Sequence, residues 1–164
     1  MAVKEAGKCI VAIRIRGTVG VSPDVELTLR SLRLIRKHQA VLLYSRPEIL
    51  GMLFKVKDHV CWGAVTKETI NLLLSRRGRV SGGKRFNEKF VKEMLGFTSL
   101  DRVGEALSKA ELPLRKLWKA GLKPFFRLHP PKGGFKHSTK RPYKSNGELG
   151  DRAHAINNLV ARMV

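Results

Sequence analysis

The sequence predicts an α/β fold in which a small split β-α-β-α-β layer of the ferredoxin-like type is followed by a mostly helical C-terminal extension and a long basic loop. Two observations predict it. Strand-like and helix-like hydrophobic periods alternate through 1–66. Helical patterns follow, and about 129–150 is rich in Pro, Gly, Lys, Ser and Asn with little to pack. We therefore divide the 164 residues into a core, 1–66, and an extension, 67–164, that packs with the core as one unit.

The first strand and helix have clear signals. Residues 8–16 alternate as a strand does, which places their apolar side chains on one face and Arg14 and Arg16 on the other. Ser22 and Pro23 predict a helix start, because serine is a good N-cap and proline fits the first helical position. The residues predicted on the buried face of this helix are Val25, Leu29, Leu32 and Ile35.

The rest of the core continues the alternation. Residues 39–45 are continuously apolar in the middle, which is typical of a strand covered on both faces. The spacing from Ser45 to Glu48 fits a capping box at the start of a second helix. Residues 59–66 then predict a third strand.

The extension is predicted to contain several short helices. One runs from Lys67 to Arg77, and Gly78 is placed to end it in a left-handed conformation. Further helices are predicted near 87–95, 100–110, 113–120 and 151–163, with a short strand near 125–128.

The charge balance points to a polyanionic partner. Lys plus Arg number 33 against 13 for Asp plus Glu, which gives a net charge of +20. So large an excess repels itself in a compact chain unless a polyanion neutralises it, which makes nucleic acid the leading partner class. The charge is densest in 125–150, where six basic residues accompany one acidic residue, Glu148.

The sequence also argues against membrane proteins, secreted proteins and disulfide-rich proteins. The longest run without Asp, Glu, Lys or Arg is nine residues, from Ala153 to Ala161, whereas a membrane-spanning helix needs about 20. The first residues lack the apolar region of a secretory signal. Cys9 and Cys61 are too few for a disulfide scaffold and too far apart for a Cys-x-x-Cys motif. We therefore expect two buried thiols, no membrane partner and a reducing, cytoplasmic compartment.

A segment rich in glycine and arginine is the first candidate site. Five cations lie within ten residues with no acidic residue among them: Arg76, Arg77, Arg79, Lys84 and Arg85. Glycines let a backbone approach phosphates and guanidinium groups match phosphate oxygens, so we predict nucleic-acid contact here. Arg76 and Arg77 could instead cap the preceding helix, which would leave the other cations unexplained.

The same segment nearly matches a P-loop. Gly78 to Lys84 has the required spacing, but Arg85 stands where Ser or Thr should hold magnesium. The preceding element is also a predicted helix rather than a strand. Both departures argue against a nucleotide-hydrolysing site.

The second candidate site is the segment 127–144, in which cations alternate with aromatic rings and histidines. Cations neutralise phosphates, whereas rings offer faces to unstacked bases. The alternative is a flexible solubilising loop, but such a loop has no need of aromatic rings at these intervals. The candidate RNA-binding residues are Arg127, His129, Lys132, Lys136, His137, Lys140, Arg141, Tyr143 and Lys144.

No catalytic or metal-binding set emerges, and we predict no cofactor. The five histidines lack metal-ligand spacing, the acidic residues are scattered, and no Gly-x-Ser-x-Gly elbow occurs. Three hypotheses are open on the residues alone: a structural rRNA-binding protein, a free RNA chaperone, and an RNA-processing enzyme on a small α/β scaffold.

Three blocks resemble the archaeal form of the large-subunit ribosomal protein L-thirty family, whose eukaryotic counterpart is called L-seven. The blocks are RGRVSGGKR at 77–85, GLKPFFRLHPP at 121–131 and GELG at 147–150. The resemblance covers nearly the whole chain in order. Its most specific part is the Arg-Leu-His-Pro-Pro block with the glycines that follow it.

This resemblance implies a structural, non-enzymatic protein. One copy would lie in each large ribosomal subunit, against the large rRNA, near the 5S rRNA and beside neighbouring ribosomal proteins. The short bacterial relatives would correspond to about 7–66, and the archaeal and eukaryotic forms would add about 67–164. The RNA-facing positions that it implies are Arg79, Lys84, Arg85 and the segment 127–144.

Overall fold

A computed structural model describes residues 7–164, in which six strands form a mixed sheet. The strands are β1 (Cys9–Arg14), β2 (Gln39–Tyr44), β3 (Val60–Ala64), β4 (Phe126–Arg127), β5 (Ser138–Pro142) and β6 (Gly147–Asp151). Their order across the sheet is β4-β2-β1-β3-β6-β5.

Helices cover both faces of this sheet. They are α1 (Pro23–Ser31), α2 (Pro47–Lys55), α3 (Lys67–Arg77), α4 (Glu88–Phe90), α5 (Leu100–Ser108), α6 (Leu114–Lys119) and α7 (Ile156–Met163). A π-helical turn at Val91–Leu95 continues α4, and 3₁₀ turns occupy Tyr143–Ser145 and Ala153–Ala155. Throughout 7–164, every helix is too short or too polar to traverse a lipid bilayer.

The predicted β-α-β-α-β order of an α/β fold is confirmed. β1 lies in the centre and pairs antiparallel with β2 and β3, so that Val11 is opposite Leu42 on one side and Gly63 on the other. Alternate residues of β1 enter two separate cores. Val11 packs in the core that α3, α5 and α7 complete, whereas its neighbour Ala12 packs with α1 and α2.

Both cysteines lie in this sheet as buried, free thiols. Burial raises the pKa of Cys9 and of Cys61 to about 12. Neither side chain is therefore an effective nucleophile near neutral pH, because the reactive form of cysteine is the thiolate. The expectation of two buried thiols is confirmed.

Helix α1 is shorter than the sequence predicts. It ends at Ser31, and a Schellman-type turn follows in which Leu34 N donates to Leu29 O at 2.8 Å while Arg33 adopts a φ of 62°. Leu34 is thereby buried, whereas Ile35 is half exposed. The placement of Ile35 on the buried face is wrong, because the chain leaves the helix before reaching it.

Gly78 ends α3, but not in the predicted left-handed conformation. Its φ and ψ are −59° and 129°, which any residue can adopt. Space is what requires glycine here: a Cβ would collide with the carbonyl oxygen of Leu74 and lie 2.8 Å from Phe86 Cβ. The left-handed prediction for Gly78 is therefore wrong.

The long basic loop predicted over about 129–150 is in part a pair of strands. β6 pairs parallel with β3, where Cys61 is opposite Gly150, and β5 pairs parallel with β6. Gly147 permits the close approach of β5, because a Cβ there would collide with the carbonyl oxygen of Arg141. The loop prediction is wrong for these two strands. It failed because the side chains of an exposed edge strand such as β5 need no apolar alternation.

Both outer edges of the sheet come from the extension. β4 pairs antiparallel with β2 at one edge, where Gln39 is opposite Arg127, and β5 forms the other edge. With neighbouring strands about 4.8 Å apart, the two edges are separated by roughly 24 Å. The division of the chain into 1–66 and 67–164 stays a prediction.

Candidate nucleic-acid interface

The segment rich in glycine and arginine forms a small hairpin after α3. Arg79 pairs antiparallel with Arg85. Gly82 and Gly83 turn the chain with φ values of 83° and 80°, which glycine adopts without strain. Lys84 and Arg85 are exposed on the hairpin. A P-loop connects a strand to a helix instead, so this geometry also disfavours a nucleotide-hydrolysing site.

A second pairing attaches the hairpin to the segment before β4. Val80 lies opposite Leu122, and Lys123 N donates to Arg79 O at 2.8 Å. β4 begins three residues after Lys123, at Phe126. These main-chain bonds therefore bring Arg79 and Arg127, which are far apart in the sequence, to one place at the edge of the sheet.

An open cavity of about 340 Å³ lies at this place, and we call it the β4-edge cavity. Its lining residues are Arg77, Arg79, Gly83, Lys123, Phe125 and Arg127. Four of them are cations and none is acidic, so an anion entering the cavity would meet no carboxylate in its lining.

Lys123 and Phe125 were not among the residues predicted from the sequence. Together with Arg127 they occupy alternate positions in the sequence, and Phe126, which lies between Phe125 and Arg127, is buried. That alternation of cationic and aromatic residues is visible in the sequence and could have identified them. The pairing that brings them to Arg79 is not local, so no pattern in the sequence predicts it.

Two of the three cavity arginines, Arg77 and Arg79, donate to main-chain oxygens. Arg77 Nη2 donates to Val164 O at 2.8 Å, and Arg79 Nη1 donates to Gly78 O at 3.0 Å. Burial, together with neighbouring Arg79 and Arg76, lowers the pKa of Arg77 below its ordinary value. The hydrogen bond to Val164 means that Arg77 does more than cap α3. A bound anion would relieve the like-charge repulsion.

The turn after β4 is attached to α7. Arg162 donates from Nε and Nη2 to Lys132 O, at 3.1 and 2.9 Å, and from Nη2 to Gly134 O. Lys132 N donates in return to Arg162 O, and His129 N donates to Met163 O, both at 2.9 Å. The main chain is thus bonded internally, while the side chains of His129 and Lys132 are exposed.

Five predicted residues lie at the opposite edge of the sheet. We call this surface the β5 edge; its exposed residues are His137, Lys140, Arg141, Tyr143 and Lys144. Lys136 precedes it and follows Phe135, whose ring is stacked on that of His38 beside β2. The acidic residue of the segment, Glu148, is buried and forms an ion pair with Arg152. Glu148 Oε1 accepts a bond from His137 N at 3.0 Å, and the Arg152 guanidinium lies 4.7 Å from the centre of the Tyr143 ring. Because its carboxylate is turned inward, the β5 edge presents cations to solvent.

The structure therefore separates most of the predicted residues into two groups, whereas His129, Lys132 and Lys136 lie in the chain that leads from β4 to β5. Arg77, Arg79 and Arg127 line the β4-edge cavity, and Lys84 and Arg85 lie on the adjoining hairpin. Arg76 is exposed at the end of α3. The β5 edge lies across the sheet from this group, so the two candidate segments do not merge into one site. Their contact with RNA stays a prediction.

Comparison with known proteins finds similar chains. The model of the family described as Ribosomal protein L30p/L7e matches residues 10–60, which run from β1 to the start of β3. A protein of Hyperthermus butylicus named Large ribosomal subunit protein uL30 is 48% identical over 164 residues, covering 96% of this chain and 91% of its own length. Proteins of the same name from Ignicoccus hospitalis and Methanopyrus kandleri are 43% and 44% identical. They cover 96% and 91% of this chain and 98% and 99% of their own lengths, so the similarity includes the extension.

Proposed function

Because the chain belongs to the ribosomal protein L30p/L7e family, we propose that it is a structural protein of the large ribosomal subunit that binds large-subunit rRNA. The observation that carries the RNA-binding part is the placement of cations at both edges of one sheet. The β4-edge cavity has no acidic residue in its lining, and the acidic residue beneath the β5 edge is buried in an ion pair. The name shared by the relatives supports a place in the large subunit.

The proposed role is one of binding without turnover. The family consists of ribosomal proteins rather than enzymes. Binding requires only that phosphate charges be neutralised and that the two shapes match. We place one copy in each large subunit of cytoplasmic ribosomes, beside neighbouring ribosomal proteins and with the 5S rRNA nearby.

The two edges suit contact with two separate stretches of rRNA. The strand spacing puts roughly 24 Å between them, which is too far for one phosphate to reach both. The paired strands make this separation a fixed property of the fold. The protein would thereby hold two RNA segments at a set distance.

Salt dependence of binding tests the proposal. The full chain is titrated with fragments of large-subunit rRNA and with 5S rRNA at increasing salt concentration. Each neutralised phosphate should contribute about −0.7 to −0.9 to the slope of log affinity against log salt. An affinity that does not change with salt would contradict charge neutralisation as the mechanism.

Two further measurements separate the alternatives. A structural ribosomal protein should sediment with large subunits at physiological salt, whereas a free RNA chaperone should remain in the light fractions. Cross-linking on intact subunits tests the finer placement: we expect links from both edges to large-subunit rRNA, with 5S rRNA among the neighbours. Links to proteins alone would refute the RNA-binding assignment.

A further inference from the structure

We propose that the β4-edge cavity binds one unstacked nucleotide of an RNA strand, with the base against Phe125 and the phosphate among the surrounding cations. The inference rests on the proposed function and deepens it, because it assigns a distinct chemistry to one of the two edges. The carrying observation is that a recess lined by four cations also contains one aromatic face.

The shape of the site favours a single nucleotide over a length of duplex. Its volume of about 340 Å³ lies within the range of about 300–1,000 Å³ that is typical of small-ligand sites. A paired base is stacked inside its helix and cannot enter a recess, whereas an unstacked base can. Gly83 lines the cavity without a side chain, and no atom lies within 4 Å of where its Cβ would stand. The cavity is therefore open at this position.

The lining supplies what each part of a nucleotide needs. Arg77, Arg79 and Lys123 carry only donors and positive charge, which suit phosphate oxygens. Phe125 is half-buried, so its ring is held in place while part of it faces the cavity. Purely electrostatic contact with a backbone does not require a ring, which is why Phe125 directs the assignment to a base.

Arg127 is the group nearest the ring. Its guanidinium lies over the Phe125 ring, 5.9 Å from the centre, so a base that stacks on this face must move the exposed Arg127 side chain outward and would then lie between the ring and the guanidinium. Unstacked bases commonly stack on aromatic rings and on the planes of arginine guanidinium groups. Arg77 and Arg79 are fixed by hydrogen bonds to Val164 and Gly78, which reduces the ordering that a ligand must impose.

The test compares two single-stranded probes that carry the same phosphates. The full chain is titrated with fluorescently labelled hexa-adenylate and with an abasic hexamer of the same ribose-phosphate backbone. The base-bearing probe should bind about 5- to 150-fold more tightly, which is the range expected for one stacked base. Phe125→Leu should remove most of this difference, because it should weaken binding of hexa-adenylate far more than binding of the abasic probe.

Matched variants separate the base contact from loss of folding or of charge. Phe54→Leu makes the same substitution at an exposed aromatic residue of α2, outside the cavity, and should keep the wild-type preference. Arg127→Ala changes an exposed side chain and should weaken binding of both probes, but that of hexa-adenylate more. Thermal unfolding of each variant verifies that the fold is retained.

The outcomes distinguish this inference from the proposed function. Equal binding of the two probes with a retained salt slope would overturn the nucleotide site and leave rRNA binding intact. Failure of rRNA fragments to bind at all would overturn the proposed function. Free AMP offers the same base and phosphate, so it is titrated alongside; tighter binding of AMP than of hexa-adenylate would overturn the assignment to an RNA strand.

Discussion

Arg14 and Glu26 form an ion pair at 3.1 Å, although the side chain of Arg14 is completely buried. Arg14 also donates at 2.8 to 3.1 Å to four main-chain oxygens, those of Arg16, Gly17, Leu34 and Ile35. It thereby ties the end of β1 to α1 and to the turn that follows this helix. This cation stabilises the fold and is not available to RNA.

Replacing Arg14 with Met should lower the free energy of unfolding by about 3 kcal/mol, because it leaves a half-buried carboxylate and several carbonyl oxygens without their partner. Urea unfolding measures the loss. Arg16→Ala, at an exposed arginine two residues after the end of β1, is the control and should stay within about 0.5 kcal/mol of the wild type. Similar losses in the two variants would show that Arg14 has no special structural role.

Gly78→Ala should destabilise the protein by about 1–3 kcal/mol, because its Cβ would force the carbonyl oxygen of Leu74 and the side chain of Phe86 apart. Gly17→Ala is the matched control, since a Cβ there meets no atom within 4 Å. Gly17→Ala should leave the free energy of unfolding unchanged or raise it by about 0.4–1 kcal/mol, because alanine lowers the conformational entropy of the unfolded chain. Thermal unfolding compares them, and equal midpoints would contradict the steric explanation.

The free energy of unfolding should fall as the pH drops below the ordinary histidine value of 6.5. Burial lowers the pKa of His38 and His59, with a further contribution from Lys37 at His38 and from Arg16 and Arg14 at His59. The unfolded chain therefore binds more protons than the folded one in this range. The stabilisation is complete above pH 6.5 and is lost as the pH falls towards the lower pKa values of the folded state.

Urea unfolding across this pH range measures the effect in the wild type and in the double variant His38→Asn, His59→Asn. The double variant should show a shallower pH dependence. Asparagine suits position 38 because it tolerates the left-handed φ of 64° found there. His154→Asn, at an exposed histidine, should keep the wild-type dependence; an equal change in that control would refute the assignment.

Charge reversal at Lys132, Lys136 and Lys140 together should weaken assembly into large subunits more than it weakens folding. All three side chains are exposed, and the main-chain bonds around them do not need their charges. Each phosphate that is no longer neutralised should reduce the salt slope by about 1. The measurements are incorporation into subunits and the thermal midpoint of the isolated variant.

The control for this variant reverses three exposed lysines outside both edges, Lys55, Lys57 and Lys92. It changes the net charge equally, so a smaller effect on assembly would localise the RNA contact to the basic segment. Unimpaired assembly of the first variant would show that its three lysines do not bind RNA.

Residue patterns within or next to an element predicted those helices and strands whose ends depend on neighbouring residues. α3 begins at Lys67 and ends at Arg77 as expected, because both ends are marked by neighbouring residues. β1, β2 and β3 were predicted because their apolar side chains fill two cores. β5 has no such requirement, because its side chains face solvent, so its hydrogen bonds to β6 leave no trace in the residue pattern.

The candidate site was predicted in composition but not in arrangement. Arg77, Arg79 and Arg127 were identified from their charge, yet their meeting depends on the bond from Lys123 N to Arg79 O, between segments that are distant in the chain. The burial of Arg14 was missed for a related reason. Arginine alternating with apolar residues suggests a solvated face, whereas α1 covers that face here.

The strands that flank β2 and β3 on their outer sides, β4 and β6, occur late in the chain. A nascent polypeptide that ends before residue 126 would leave β2 and β3 as exposed, apolar edge strands. Their unpaired backbone N–H and C=O groups could then pair with another molecule. Truncated chains should therefore aggregate more readily than the full chain. In full-length chains the sheet edges carry cations instead. These positive charges keep the chains apart until a nucleic acid neutralises them.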